Sequence, residues 1–158
     1  MFGARTRVVA ISWPQVRSLV FVAIRIKEKH GGQVTAITVG PERAKDVLKT
    51  CLAMGCDNGI LVSDEAFEGS DARATATVLA AAIKRIGDAS LVFFGKQAID
   101  GDTGLVPLSV ARLLRWTPLS YVFEILDLDP DDKAITVARL LEEGKQMCTG
   151  RLPAVMSC

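Results

Sequence analysis

The sequence alternates short apolar, β-branched runs with longer segments of helical period, and this alternation limits the chain to a few architectures. The runs predict strands at residues 8–11, 33–39, 59–62 and 90–94. Two segments between them predict amphipathic helices, because their apolar side chains share one face: Val47, Leu48, Cys51 and Leu52 in the first, and Val78, Leu79, Ala82, Ile83 and Ile86 in the second. Alternating elements of this length predict an α/β fold with a doubly wound, mostly parallel, Rossmann-like sheet.

Glycine, proline and aspartate mark the ends of these elements. Gly40 should end a strand and put Pro41 at a first helical position, Gly55 should end that helix, and Asp71 should cap the next one. The apolar run at residues 19–24 fits a buried strand or a buried helix equally well. Its charged continuation before two glycines favours a helix over residues 16–29.

The pattern changes beyond Tyr121. Residues alternate in polarity at 135–141, residues 142–144 resemble a turn, and residues 152–156 are again apolar, so we predict a C-terminal antiparallel hairpin. Residues 129–133 read as a solvated turn between strands. The length of 158 residues, with no linker or repeat, predicts a single domain over residues 1–158.

Composition excludes several classes of partner. Nineteen basic and eighteen acidic residues give a formal charge of +1, with no basic stripe, so no nucleic-acid partner is expected. The apolar run at residues 19–24 is far shorter than a membrane-spanning helix, so no membrane insertion is expected. Since no secretory signal is readable, we expect a cytoplasmic location, or the mitochondrial matrix in a eukaryote.

Neither a catalytic centre nor a metal site is readable from the reactive side chains. The four cysteines are expected to be reduced thiols, since their spacing fits neither zinc nor a disulfide framework, and Cys51 and Cys56 should pack near the ends of a helix. His30, the sole histidine, has no evident Ser or Cys partner and should cap a helix or be solvated. Asp100 and Asp102 alone are weak evidence for Mg²⁺.

The chemistry concentrates in the glycine-rich loop at residues 95–104, which follows a hydrophobic strand and precedes a helix. Backbone N–H groups at such a junction point outward and the helix dipole favours negative charge, so a phosphate is predicted at residues 102–106. Pro107 is compatible with the helix only in its first turn. The alternative is an ordinary strand-to-helix turn capped by Asp102 or Thr103, because neither common phosphate-loop motif is present.

The same loop resembles the signature loop of the FixA-like family of electron transfer flavoprotein β subunits. Further blocks continue the resemblance in order, at residues 39–42, 52–57, 68–71, 111–114, 139–144 and 152–155. The resemblance as a whole extends over about residues 14–157. The resemblance implies a Rossmann-like fold of the adenine nucleotide alpha hydrolase-like type.

The resemblance also implies a function. Such a subunit pairs with an α subunit that carries FAD and passes electrons from acyl-CoA or other dehydrogenases to a quinone oxidoreductase or another acceptor; it is an electron carrier and not a turnover enzyme. Its own site holds AMP in one branch of the family and a second FAD in the electron-bifurcating branch. The sequence of residues 99–103 resembles the electron-bifurcating branch more closely. The implied cofactor-binding residues are Val39, Gln97, Ala98, Ile99, Asp100, Gly101, Asp102, Thr103, Gly104, Leu105 and Val106.

The chain departs from the family pattern at several places. Leu105 and Pro107 stand where the family usually has glutamine and glycine, which predicts the loss of one side-chain hydrogen bond to the nucleotide. The chain also resembles a version shortened at both ends, in which residues 7–11 replace the usual central strand. Two alternatives therefore stay open: a stand-alone adenine-nucleotide-binding module of the universal stress protein type, and a truncated paralogue without function.

Overall fold

The computed structural model describes residues 7–11, 16–67, 69, 71–95 and 104–158. The strands are β1 (Arg7–Ile11), β2 (Gln33–Val39), β3 (Asn58–Val62), β4 (Ala89–Phe94), β5 (Thr117–Leu119), β6 (Val122–Asp129), β7 (Ala134–Leu141), β8 (Gly144–Arg151) and β9 (Ala154–Ser157). The helices are α1 (Val16–His30), α2 (Lys45–Met54), α3 (Ala72–Ile86) and α4 (Leu105–Leu114). Short 3-10 turns occupy Glu42–Ala44 and Glu65–Phe67.

Six strands form a parallel sheet in the order β3-β2-β1-β4-β9-β5. Each face of the sheet is covered by different helices. Successive residues of a strand point to opposite faces, so they join different core clusters. Leu91 and Phe93 of β4 join the core cluster that contains α1 and α2, whereas Val92 and Phe94 join the cluster that contains α3 and α4. The doubly wound α/β fold is confirmed, with β1 at the centre of the sheet as predicted.

The predicted strands and helices of the first two thirds of the chain are confirmed, and so are two of their ends. Gly55 takes the left-handed conformation at φ 117° and ends α2, and the Asp71 carboxylate accepts the N–H of Ala74 at 2.7 Å and caps α3. The expected position of Pro41 was wrong. Pro41 precedes the 3-10 turn Glu42–Ala44, and α2 begins only at Lys45.

The C-terminal hairpin is present, but the prediction of its second arm was wrong. β7 pairs with β8 and not with residues 152–156, which lie largely in β9, parallel to β4 and β5. All four residues of β9 are buried, because a central parallel strand is covered on both faces and therefore reads as an unbroken apolar run. β8 is polar and mostly exposed, so it contains no apolar run from which a strand could be predicted.

β6 adds a third antiparallel strand, so the smaller sheet has the order β6-β7-β8. Register irregularities between Val122 and Glu124 and between Ile125 and Asp127 interrupt the alternation that would have identified β6. Val122, Ile135 and other inward side chains of this sheet belong to the core cluster that also holds α1 and α2. The small sheet thus packs on the same side of the parallel sheet as these two helices.

Candidate functional site

The strand order reverses between β1 and β4. From β1 the chain proceeds to β2 and β3 on one side, and it later returns to place β4 on the other side. In open α/β sheets such a reversal creates a crevice at the carboxyl ends of the two strands, where ligands bind. The connection that leaves β4, residues 95–104, therefore starts at this crevice.

Helix α4 presents its N-terminus at the end of that connection. Gly104 precedes it in the left-handed conformation, at φ 57° and ψ 9°, and in the described part of the chain no side chain caps the helix. The first N–H groups of a helix have no partner within it, so those of Leu105 and Val106 can donate to an anion. Pro107 lies in the first turn, as predicted, where its missing N–H breaks no helical bond.

The predicted cofactor-binding residues divide into two groups. Gln97, Ala98, Ile99, Asp100, Gly101, Asp102 and Thr103 lie outside the described residues. Of the others, Val39 ends β2 and packs, with Val106, against the core cluster beneath α3 and α4, which places both on one face of the sheet. Gly104 and Leu105 form the start of α4, and the Leu105 side chain is 52% exposed.

Cys158 is a residue that sequence analysis did not connect with this edge. Its N–H donates to the carbonyl of Phe94 at 3.0 Å, since β9 runs parallel to β4 and ends at the same edge of the sheet. Burial raises the pKa of the Cys158 thiol to about 11, so the thiol is neutral at pH 7. Only the position of β9 in the sheet could have revealed this neighbour.

The other reactive side chains lie elsewhere. In a β-α-β unit the helix runs antiparallel to the strands, so the C-terminal ends of α1 and α2 lie at the opposite edge of the sheet. His30 is in the last turn of α1, and Cys51 and Cys56 are at the end of α2. Both cysteines are buried, as expected from the sequence, and neither forms a disulfide.

The described residues contain neither a cluster of metal-binding side chains nor a membrane-spanning helix. No group of three or more His, Cys, Asp or Glu side chains could hold a metal ion. None of the described helices is long and apolar enough to cross a membrane.

Comparisons with known proteins agree with this architecture. The family described as "Electron transfer flavoprotein domain" matches residues 5–158. Protein FixA of Azotobacter vinelandii is 44% identical over 138 residues, which is 85% of this chain and 49% of that protein. The caffeyl-CoA reductase-Etf complex subunit CarD of Acetobacterium woodii is 38% identical over 155 residues, 98% of this chain and 58% of that protein.

A third relative is the electron transfer flavoprotein subunit beta of Thermoanaerobacterium thermosaccharolyticum, 38% identical over 97% of this chain and 57% of its own length. The chain thus spans about half the length of the curated relatives it matches. The family match itself covers nearly every residue. The chain therefore belongs to the electron transfer flavoprotein domain family.

Proposed function

We propose that this chain is the nucleotide-binding part of an electron transfer flavoprotein β subunit. The observation that carries the proposal is the N-terminus of α4, which has no side-chain cap among the described residues and follows the strand beside the switch point of the sheet. A phosphate of AMP or FAD would accept the N–H groups of Leu105 and Val106 there. The match to the electron transfer flavoprotein domain family supports an electron transfer role.

The remaining residues of the site would enclose the nucleotide. Residues 97–103 would wrap the phosphate mainly with backbone N–H groups, and Val39 would lie toward the adenine or ribose. Bound FAD supplies reversible redox chemistry, whereas AMP is a structural ligand without it. The chain is then a carrier subunit in which the residues named here bind and orient the nucleotide and transfer no group.

The proposed partner is an α subunit that carries FAD. Relatives of this chain bear names that describe them as subunits of electron transfer complexes. The outer face of the small sheet offers a contact surface, because Phe123, Leu140 and Met147 are 45%, 58% and 75% exposed there. These three side chains share one face of the sheet. Met147 is paired with Ala138, which points to the same face as Leu140 because the two are two residues apart in β7. Lys145 is paired with Leu140, and its ammonium lies 5.0 Å from the centre of the Phe123 ring.

Exposed apolar groups clustered on one sheet face are typical of protein contacts. Through the α subunit, electrons would pass from acyl-CoA or other dehydrogenases to a quinone oxidoreductase or another acceptor. The proposed compartment is the cytoplasm, or the mitochondrial matrix in a eukaryote.

Co-expression with a cognate α subunit tests the proposal. The complex should purify as a yellow heterodimer, and mass spectrometry of the released nucleotides should find AMP or a second FAD beside the α subunit's flavin. A colourless chain that does not bind the α subunit but retains AMP or ATP would contradict the proposal and indicate a stand-alone nucleotide-binding module. A folded chain with neither partner nor nucleotide would overturn both.

A further inference from the structure

The end of α2 brings two cysteines together. The N–H of Gly55 donates to the carbonyl of Leu52 at 3.0 Å, and the N–H of Cys56 donates to the carbonyl of Cys51 at 3.1 Å. With Gly55 in the left-handed conformation, these bonds form a Schellman motif. In this motif the side chains of the first and last bonded residues frequently contact each other, and here both residues are cysteines of one core cluster.

The two thiols are buried in the same core cluster, where Cys51 and Cys56 are 2% and 7% exposed. The neighbouring Cys56 thiol lowers the pKa of Cys51, whereas hydrogen bonding to Cys51 and burial raise the pKa of Cys56. Cys51 is therefore the thiol of the pair that more readily becomes a thiolate, and Cys56 is the one that retains its proton.

The segment between the two cysteines lies at the protein surface. Leu52, Ala53 and Gly55 are all exposed between the two cysteines. Two backbone bonds close the turn, and the Lys27 ammonium adds a long contact of 3.4 Å to the Gly55 carbonyl. Helix ends open more easily than helix centres, so a small oxidant can reach the sulfurs without global unfolding.

We propose that Cys51 and Cys56 are a modification site, at which a hydroperoxide converts the two thiols into a reversible disulfide. The Cys51 thiolate attacks a peroxide oxygen, the O–O bond breaks, and a sulfenic acid and water or an alcohol result. The Cys56 sulfur then attacks the sulfenic sulfur, the S–S bond forms and water leaves. Two thiols lose two electrons, and the peroxide gains them.

The site is independent of the proposed nucleotide loop. Cys51 and Cys56 lie at the C-terminal end of α2, whereas the end of β4 and the start of α4 lie at the opposite edge of the sheet. The backbone bond from the Cys56 N–H to the Cys51 carbonyl already holds the two residues together, so disulfide formation should require side-chain rotation with little movement of the backbone. Exchange with a dithiol should reverse the modification.

Peptide mass spectrometry tests the proposal on the intact chain. Trypsin cuts after Lys49 and Arg73, so both cysteines fall in one peptide, residues 50–73. The folded, reduced protein is treated with hydrogen peroxide, alkylated and digested. We expect this peptide to lose the mass of two hydrogen atoms and to escape alkylation, and dithiothreitol to restore both thiols.

Variants assign the roles of the two sulfurs. Cys56→Ser should leave a sulfenic acid on Cys51 that dimedone traps, and Cys51→Ser should slow oxidation of Cys56 by about tenfold or more. Cys148→Ser is the control and should leave disulfide formation unchanged. A peptide 50–73 that stays fully alkylated, or that carries only sulfinic or sulfonic acid, overturns the proposal; this readout on the unmodified sequence stands even if a variant fails to fold.

Discussion

The Lys27 ammonium lies 2.6 Å from one carboxylate oxygen of Asp57, and the other oxygen accepts the N–H of Val34 at 2.8 Å. One carboxylate thereby joins the last turn of α1, the turn after α2 and the start of β2. Burial opposes ionisation of Asp57, but the Lys27 ammonium and the Val34 N–H outweigh it and hold the pKa of this carboxyl below its ordinary value.

Asp57→Asn should reduce the free energy of unfolding at pH 7 by on the order of 1 kcal/mol, because it removes a charged hydrogen bond at a partly exposed site. A carboxyl with a lowered folded-state pKa stabilises the protein above its unfolded pKa, and the effect is lost as pH falls through the folded value. The difference between the two proteins in urea denaturation should therefore shrink below about pH 4.

The control for this variant is Asp46→Asn. Asp46 also pairs with a lysine, Lys49, at 2.7 Å, but both side chains are about three quarters exposed, at 76% and 74%. Such pairs contribute little, so the control should leave the free energy of unfolding nearly unchanged. Equal losses in the two variants would contradict the role given to Asp57.

Leu105→Gln should strengthen AMP binding by about two- to tenfold, the effect of one neutral hydrogen bond. The exposed Leu105 side chain leaves room for the amide at the start of α4. Calorimetric titration measures the change. Leu108→Gln, whose parent side chain is 43% exposed farther along the same helix, should have no effect, and equal gains in both would argue against a phosphate at this end of α4.

Gly150→Ala should destabilise the chain by about 1–3 kcal/mol, because it forces atoms into a filled space. A Cβ at this position would lie 2.9 Å from the Thr117 Cγ2, which is held in place since its hydroxyl donates to the Arg151 carbonyl at 2.6 Å. Thermal denaturation monitors the loss.

Thr117→Ser removes the obstructing methyl and keeps the hydroxyl, so the double variant Thr117→Ser/Gly150→Ala should lose less stability than the two single changes added together. Gly40→Ala is the matched control, because its Cβ would make only an ordinary contact of 3.5 Å with Ala44. Strict additivity in the double variant would exclude the contact between β8 and β5.

Met147→Glu should weaken association with the α subunit by about tenfold or more, since it places a charge in an apolar contact surface. Leu52→Glu, on a different exposed surface with 44% of the side chain accessible, should leave association unchanged. Surface plasmon resonance of both variants gives the comparison. A complex that tolerates Met147→Glu would exclude the outer face of the small sheet as the contact.

Sequence reasoning succeeded where one physical rule dominated the local pattern. The buried runs before Gly40 and Gly95, the cap at Asp71 and the left-handed stop at Gly55 each follow from a single residue type or period. It failed at the exposed β8, where no apolar period exists, and at the bulged β6. It also could not place β9 between β4 and β5, because strand order depends on packing between distant segments.

For the candidate site, the sequence predicted the glycine-rich loop at residues 95–104, and the fold added that β4, the strand before this loop, lies beside the reversal of strand order. The sequence predicted Pro107 in the first turn of α4, whereas the left-handed Gly104 and the lack of a side-chain cap among the described residues became visible only in the structure. The approach of Cys158 to Phe94, and the contact between Cys51 and Cys56, depend on backbone bonds that a linear pattern does not display.

The central claim is that the start of α4 holds the phosphate of an adenine nucleotide. The most direct test is a ¹H–¹⁵N NMR titration of the chain with AMP and, separately, with adenosine, which lacks the phosphate. We predict that AMP shifts the amide signals of Gly104, Leu105 and Val106 at concentrations where adenosine leaves them unchanged. Equal shifts with both ligands, or AMP-dependent shifts confined to other parts of the sheet, would contradict the claim.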